Sequence, residues 1–400
     1  MNAADTAFVL ICSALVMFMT PGLALFYGGM VRSKNVLGTI MQSFILLGLV
    51  SVLWAVCGYT LAFGTDVGGF IGGLDYLFMN GVGMVPGPPA DTIPHLAFMI
   101  FQCMFAVITP ALITGAFAER MRFGGFLVFS ALWLLLVYCP MAHWVWGKGW
   151  MASMGALDFA GGAVVHMSSA AAALAAVIVL GKRKGHGHTP FIPHNLPMTV
   201  LGAGILWFGW FGFNAGSALA ADGFAANAFV TTHMAAAAAA LAWIFMEWRH
   251  SGKATTLGAA SGAVAGLVAI TPAAGFVTVM PALLIGLGGG VFCFLGVLLK
   301  NKFGYDDALD VVGVHGVGGT WGAIATGLFA SINKATGLFY GNPSQLWIQL
   351  ASVAATWAFC FVASLILFKL VDATIGLRAS QEEEERGLDL TQHNETGYQA

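Results

Sequence analysis

Charge is what this sequence has least of. Only 16 Lys+Arg and 18 Asp+Glu stand among 400 residues, 8% of the chain, where a soluble protein carries about 25%. That scarcity excludes a solvated surface able to enclose a chain of this length. The near balance of signs leaves no basic stripe for nucleic acid and no long acidic tract. Cysteine is sparse too. Cys12, Cys57, Cys103, Cys139, Cys293 and Cys360 lie singly inside apolar stretches with no CxxC pair, a pattern of small buried hydrophobes rather than a disulfide frame or zinc site. The short stretch before the first apolar run carries Asp5 rather than a basic region, so the first span is expected to act as its own insertion signal. What the chain has instead is grease: 58% hydrophobic residues, 53 glycines and a mean hydropathy of +0.84. It is an integral membrane protein.

A bilayer crossing needs about 20 mostly apolar residues, and eleven such segments are predicted: 7–29, 36–63, 96–118, 124–143, 161–181, 196–218, 224–248, 257–274, 277–299, 311–330 and 346–370. The segments from Leu257 and Val311 are rich in Gly and Ala. Alternate connections hold Arg32/Lys34, Arg120/Arg122, Lys182/Arg183/Lys184, Arg249/Lys253 and Lys300/Lys302, and the carboxyl end adds Lys369, Arg378 and Arg386. Only Lys148 and Lys334 fall on the other side. Positive charge marks the cytoplasmic face, so the amino terminus is outside and the carboxyl terminus cytoplasmic. The expected organisation is an all-α membrane domain over 1–371 and a cytoplasmic tail over 372–400. The run QEEEER at 381–386 reads as a solvated helix or a frayed end.

Eleven spans divide as five, five and one. Two spacings support an inverted repeat of halves about 7–181 and 196–330, with 346–370 as the additional helix. Gly22, Phe26 and Gly29 recur as Gly209, Phe213 and Gly216, and Asp158 precedes His166 by eight residues as Asp307 precedes His315. Eight residues of helix rise about 12 Å, and half a bilayer core is about 15 Å. The two histidines therefore approach the midplane from opposite faces and are expected to meet there. A single intramembrane histidine is as readily a neutral core residue bonded to a hydroxyl or carbonyl; a symmetry-related pair points to function. Two imidazoles can share a proton, one donating while the other accepts, and they cannot easily both be charged in a dry pore. His233 has no repeat partner and reads as structural. His95, His143, His186, His188, His194, His250 and His393 read as interfacial or solvated. No cofactor motif, metal-ligand set or nucleophile–base pair appears at pore depth, which speaks against an intramembrane enzyme.

Trp146, Phe105, Phe213 and Ser217 are candidates for an outer mouth. Single aromatics are usually belt or core residues; grouped with a hydroxyl, they attract a cation through ring faces and one oxygen, and stacked Phe rings form an apolar constriction. Asp158 reads first as a helix cap, with a charge that also favours a nearby cation. Asp307 and Asp310 read as structural.

The motifs FYGGMVRSKNVL (26–37), AERMRF (118–123), DFAGGAVVH (158–166), FGWFGFNAGSAL (208–219), DDALDVVGVHGVGG (306–319) and GLRASQEEEERGLD (376–389) give a chain that resembles the Amt/MEP/Rh ammonium transporter family, bacterial Amt branch, nearly end to end. The resemblance implies a homotrimer in a bacterial cytoplasmic membrane, each subunit with its own pore for ammonium and methylammonium, without a cofactor. It implies an ammonium-recruitment site at Phe105, Trp146 and Ser217 with Asp158 needed for transport, a gate of Phe105 and Phe213, a twin-histidine pore of His166 and His315, and a PII-type signalling protein as a cytoplasmic partner. Two features depart from it: Lys148 places a cation at a cation-attracting mouth, and related Gram-negative proteins often carry a cleaved signal peptide. The alternatives are an ammonium sensor of the same fold and a neutral-gas or small-solute channel. The first normally needs an appended domain, where 29 residues follow Val371; the second would waste a cation site.

Overall fold

The computed structural model describes residues 1–88 and 90–398. Among these, eleven long helices follow one another: α1 (Ala3–Met30), α2 (36–63), α3 (His95–Phe117), α4 (123–145), α5 (Gly162–Leu180), α6 (Leu196–Gly216), α7 (Gly223–Ser251), α8 (Thr256–Ile270), α9 (Val279–Phe303), α10 (312–329) and α11 (Pro343–Thr374). Each coincides with an expected segment, and the all-α membrane fold stands; nine of these helices are long and apolar enough to cross a bilayer by themselves. The helix α8 has only 15 residues and rises about 22 Å, short of a crossing. It stops ahead of Pro272, which lacks the N–H a further turn needs, and the chain continues in turns over 271–276.

The first helices of the two halves, α1 and α6, make the most extensive contact in the molecule. In lipid, helices gain little hydrophobic drive from pairing, and close approach depends on small residues. A Cβ on Gly22 would stand 2.6 Å from the Ile205 side chain, and one on Gly202 2.6 Å from the carbonyl oxygen of Gly22. Gly209 leaves no room for a Cβ beside Met19. The recurring Gly–Phe–Gly spacing thus has a physical reason: it lets two backbones meet at the centre of the fold.

On the outer side, 64–94 forms two small hairpins, Asp66–Val67 with Ile71–Gly72 and Pro86–Gly87 with Ala90–Pro94. They cover two histidines expected at solvated or interfacial positions. His95 is buried and shares a 2.5 Å hydrogen bond with the Tyr59 hydroxyl. His143 is buried with its ring nitrogens 2.9 Å from Ala62 O and 2.8 Å from an Asp66 carboxylate oxygen. The hairpin that buries them is a long-range feature, invisible in span hydropathy.

On the inner side four connections meet at Arg183. Its guanidinium donates to Glu119 at 2.9 Å and to both oxygens of Asp306 at 2.8 and 2.9 Å, while Glu119 also accepts from Arg32 and Asn35. The Phe191 ring lies 4.1 Å from Arg183 and 4.8 Å from Arg32. Burial alone would raise both carboxyls; the Arg183 hydrogen bonds and nearby arginine charges outweigh it at Asp306 and hold that carboxyl well below the ordinary range. At Glu119 the Arg32 hydrogen bond and the two guanidinium charges likewise outweigh burial and lower the carboxyl.

The tail is neither frayed nor free. After α11 it runs beside Met121, with Arg122 N–H donating to Leu377 O at 2.7 Å and Ala379 N–H to Arg120 O at 2.9 Å. It then forms α12 (Gln381–Arg386) and α13 (Leu388–His393). Ser380 and Glu383 close a capping box at the start of α12, the local signal that makes a helix of the acidic run. Arg378 grips Leu180 O and Lys182 O at 2.7 and 2.6 Å and Glu384 at 2.8 Å. The Asp389 carboxylate accepts from Leu37 and Gly38 N–H at 3.0 and 2.8 Å, capping the amino end of α2 from a distant part of the chain.

Candidate functional site

The helices enclose two neighbouring cavities, a wide one at the outer end and a narrow one beyond the Phe105–Phe213 stack. A cavity of about 310 Å³ is lined by Phe98, Gln102, Phe105, Trp146, Lys148 and Ser217, among others. Phe105 comes from α3, Trp146 from the end of α4, and Ser217 follows α6. The Trp146 indole donates to Asp158 O at 3.0 Å and meets Phe105 edge-on, ring centres 5.8 Å apart at 87°. The Ser217 hydroxyl donates to Phe213 O at 2.9 Å, which leaves its lone pairs as acceptors. Lys148 is exposed and shares this lining, so the tension read from the sequence is present in the fold.

Beneath the cavity Phe105 and Phe213 stack with ring centres 4.2 Å apart, each 1% exposed. His166 follows Phe213 at 6.1 Å, its ring within 29° of parallel. The His166 and His315 rings lie 5.2 Å apart at 19°, with Nδ1 to Nδ1 at 3.2 Å. One nitrogen of that contact must donate and the other accept, so the neutral pair holds a single proton along the line. Nε2 of His166 is buried with no partner. The space around the rings is about 10 Å³, walled by Met19, Leu23, Phe26, Leu112, Trp210 and Val264 among others. That is close to the room one water needs.

Both histidines ride on π-wound turns, Gly162–Met167 and Val312–Gly316. Such turns are rare in helices and concentrate at functional sites. Each starts next to its aspartate. Asp158 accepts from the N–H groups of Gly161, Gly162, Ala163 and Val164 at 2.6 to 3.3 Å, so its carboxylate caps α5 and does not enter the cavity as a free ligand. Gly161, at φ +116°, takes a left-handed conformation open to glycine, and this lets the chain turn around the carboxylate beside Trp146.

The fold thus brings Phe105, Trp146 and Ser217 to one cavity, Phe105 and Phe213 into one stack, and His166 and His315 into contact, with Asp158 behind them. His233 lies apart, exposed on the outside of α7 against Trp207. Three tunnel residues escaped the sequence reading. Trp210 stacks on His166 at 5.4 Å and is anchored by its indole N–H to the Thr271 hydroxyl at 2.9 Å. Gln102 lines the mouth, and its Oε1 is buried without a partner. Phe26 was within reach: it is the repeat counterpart of Phe213, and both line the tunnel.

Comparison with known proteins agrees with this architecture. The family model for the Ammonium Transporter Family matches residues 7–398. An ammonium transporter of Bacillus subtilis (strain 168) is 58% identical over 404 residues, covering 100% of this chain and 99% of the relative. The solved structure of Candida albicans Mep2 superposes with a TM-score of 0.90 at 37% identity, covering 96% of this chain and 88% of that one. A structure named Sensor Amt Protein gives a TM-score of 0.91 at 30% identity, covering 97% of each chain. With family likeness running from the first span to the docked tail, the chain belongs to the ammonium transporter family.

Proposed function

We propose that this protein transports ammonium across a bacterial cytoplasmic membrane, by capturing the cation outside and passing it inward as ammonia. Capture falls to Trp146, Phe105 and Ser217, two ring faces and one hydroxyl acceptor. Asp158 acts by holding Trp146 and the start of α5 and by its half-buried negative charge, not by direct contact. Deprotonation takes place at the Phe105–Phe213 gate. Ammonia then runs past His166 and His315, while the proton crosses separately along the imidazole pair and intervening waters. No covalent catalysis is involved; the protein is a transporter and not an enzyme. The unit of transport is the pair of halves 7–181 and 196–330 with the helix 346–370, and the tail 372–400 is a regulatory appendage.

Selectivity follows from cost. Moving a small ion into a medium of low dielectric costs on the order of 20 kcal/mol by Born solvation, and a tunnel of about 10 Å³ admits no hydration shell. Potassium has no escape from that cost. Ammonium does, because it can leave a proton behind. The observation that carries the reading is the joined imidazole pair, 3.2 Å apart in an otherwise apolar tunnel directly below a stacked aromatic gate.

The test is ammonium-evoked current in proteoliposomes bearing wild type, His166→Ala and His315→Ala. Loss of current, or admission of potassium, in the variants is expected; unchanged current with potassium still excluded in both removes the pair from the mechanism. A second reading, an ammonium sensor, draws on the likeness to the Sensor Amt Protein, and it predicts ammonium binding without flux. The expected assembly is a homotrimer, and the inner loops with the docked tail form the face offered to a PII-type protein.

A further inference from the structure

The two aspartates that stand eight residues before the tunnel histidines are finished differently. Asp158 engages four backbone N–H groups with its two oxygens. Asp307, 1% exposed, is held more loosely: Val312 N–H donates to Oδ2 at 2.7 Å with Val311 N–H beside it, and Oδ1 is buried with no partner. Lys300 does not supply one, since its ammonium donates to the backbone oxygen of Asp307 at 2.9 Å and pairs with the Asp310 carboxylate. A buried oxygen with no donor is costly while the carboxylate is charged and is relieved when a proton sits on it. Burial, opposed by Lys300 and assisted by Asp310, pushes this carboxyl up to about 6.

The loop bearing Asp307 is also fastened to α3, the helix that supplies Leu112 to the wall around the two histidines. Ala308 and Leu309 N–H donate to Ala116 O and Gly115 O at 3.2 and 3.0 Å, clamping the loop onto the end of α3. Tyr27, within electrostatic reach of Asp307, donates its hydroxyl to the carbonyl of Leu112 at 3.1 Å, and Leu112 lines the tunnel with His315. The charged and titratable groups facing Asp307 are Tyr27 on α1, Arg120 of the α3–α4 connection, Lys300 on α9, and Tyr305 and Asp310 of its own loop.

We propose that Asp307 is the inner proton acceptor of the transport cycle. The proton given up at the gate and relayed along His166 and His315 lodges on Asp307 Oδ1 and leaves from there to the inner solution. The proposal rests on the reading that the proton crosses apart from ammonia. The balance is simple: an N–H bond of ammonium breaks with its electron pair left on nitrogen, an O–H bond forms on the carboxylate, and water then takes that proton. Ammonia regains a proton from the inner solution.

Asp307→Asn keeps an acceptor for Val312 N–H and removes the exchangeable proton, so it separates capping from proton transfer. In proteoliposomes its ammonium-evoked current should fall about tenfold or more, as for loss of a positioned acid–base group. It should also lose any dependence on inner pH near 6 that wild type shows, and Asp307→Glu should restore part of both. Infrared difference titration of purified wild type should show a buried carboxyl band that is absent in Asp307→Asn and shifted in Asp307→Glu; the Glu variant carries the assignment if the Asn variant does not fold. Wild-type current and inner-pH profile in Asp307→Asn, or no titrating buried carboxyl in wild type, overturns the proposal alone. Methylammonium uptake without any current in wild type overturns the separate-proton reading, and the proposal falls with it.

Discussion

At the outer approach a cavity of about 310 Å³ stands over the Phe105–Phe213 stack; at the inner approach, buried charges from four connections are drawn together on Arg183. The same repeat supplies the helices behind both. The difference lies in the connections: outside, two small hairpins lie over the helix ends, whereas inside the arginines and carboxylates of successive loops cross-brace the two halves. An internal repeat constrains what must pack at the centre, the Gly–Phe–Gly helices and the Asp-to-His spacing, and leaves each surface free for its own task. One end is an open aromatic cavity and the other a braced frame of buried charges.

The comparison can be broken most forcefully at the inner end. Arg183→Ala leaves Glu119 and Asp306 buried without their shared cation, and removing one partner of a buried pair costs about 3–5 kcal/mol. Thermal unfolding of the detergent-solubilised protein should show it; a shift no larger than that of a surface substitution would mean the cross-brace does not hold the halves.

Acid sharpens the same point. Glu119 and Asp306 both have carboxyls held below their ordinary values in the fold. Such groups contribute stability above their unfolded-state pKa, which is lost as pH falls through the folded value. Wild type should therefore lose thermal stability as pH drops below about 4, and Arg183→Ala should show a flatter profile. Asp307 works in the opposite direction, because its folded value is raised to about 6: its contribution weakens as pH rises from the ordinary aspartate value through that point.

At the outer end the expected effects are smaller and fall on affinity. Trp146→Leu should raise the half-saturating ammonium concentration about two- to thirtyfold, the range of one cation–π contact, with less change in maximal current; Ser217→Ala should act in the same direction. If neither moves the concentration dependence, the mouth does not recruit ammonium. The smallest effect is expected of Lys148→Ala. Relief of one exposed like charge should improve apparent affinity about twofold at low salt and negligibly at physiological ionic strength, as a salt series of evoked currents would reveal.

Most of the fold was legible because a bilayer imposes a coarse rule on sequence. Length and hydropathy located every long helix, and even the short α8 overlaps its expected segment to within one residue at its start. The histidine pair was legible for a further reason, since equal spacing from the span edge in two opposed helices leaves the midplane as the common depth. The buried His95 and His143, the docked tail and the tunnel role of Trp210 were not legible. Each depends on a partner remote in sequence: Tyr59 and Asp66 for the histidines, the amino end of α2 for Asp389, and Thr271 for the indole of Trp210.

From sequence alone came the succession of helices, the expected positive-inside orientation, the inverted repeat and the convergence of His166 with His315, because these follow from transfer free energies and helix rise, which are local and additive. Only the tertiary structure decided which oxygen of which aspartate finds a donor, that the histidines ride on π turns with Nδ1 facing Nδ1, and that acidic residues at the end of the chain lock onto its beginning. Those outcomes rest on directional contacts between distant segments, and direction is not encoded in hydropathy or spacing.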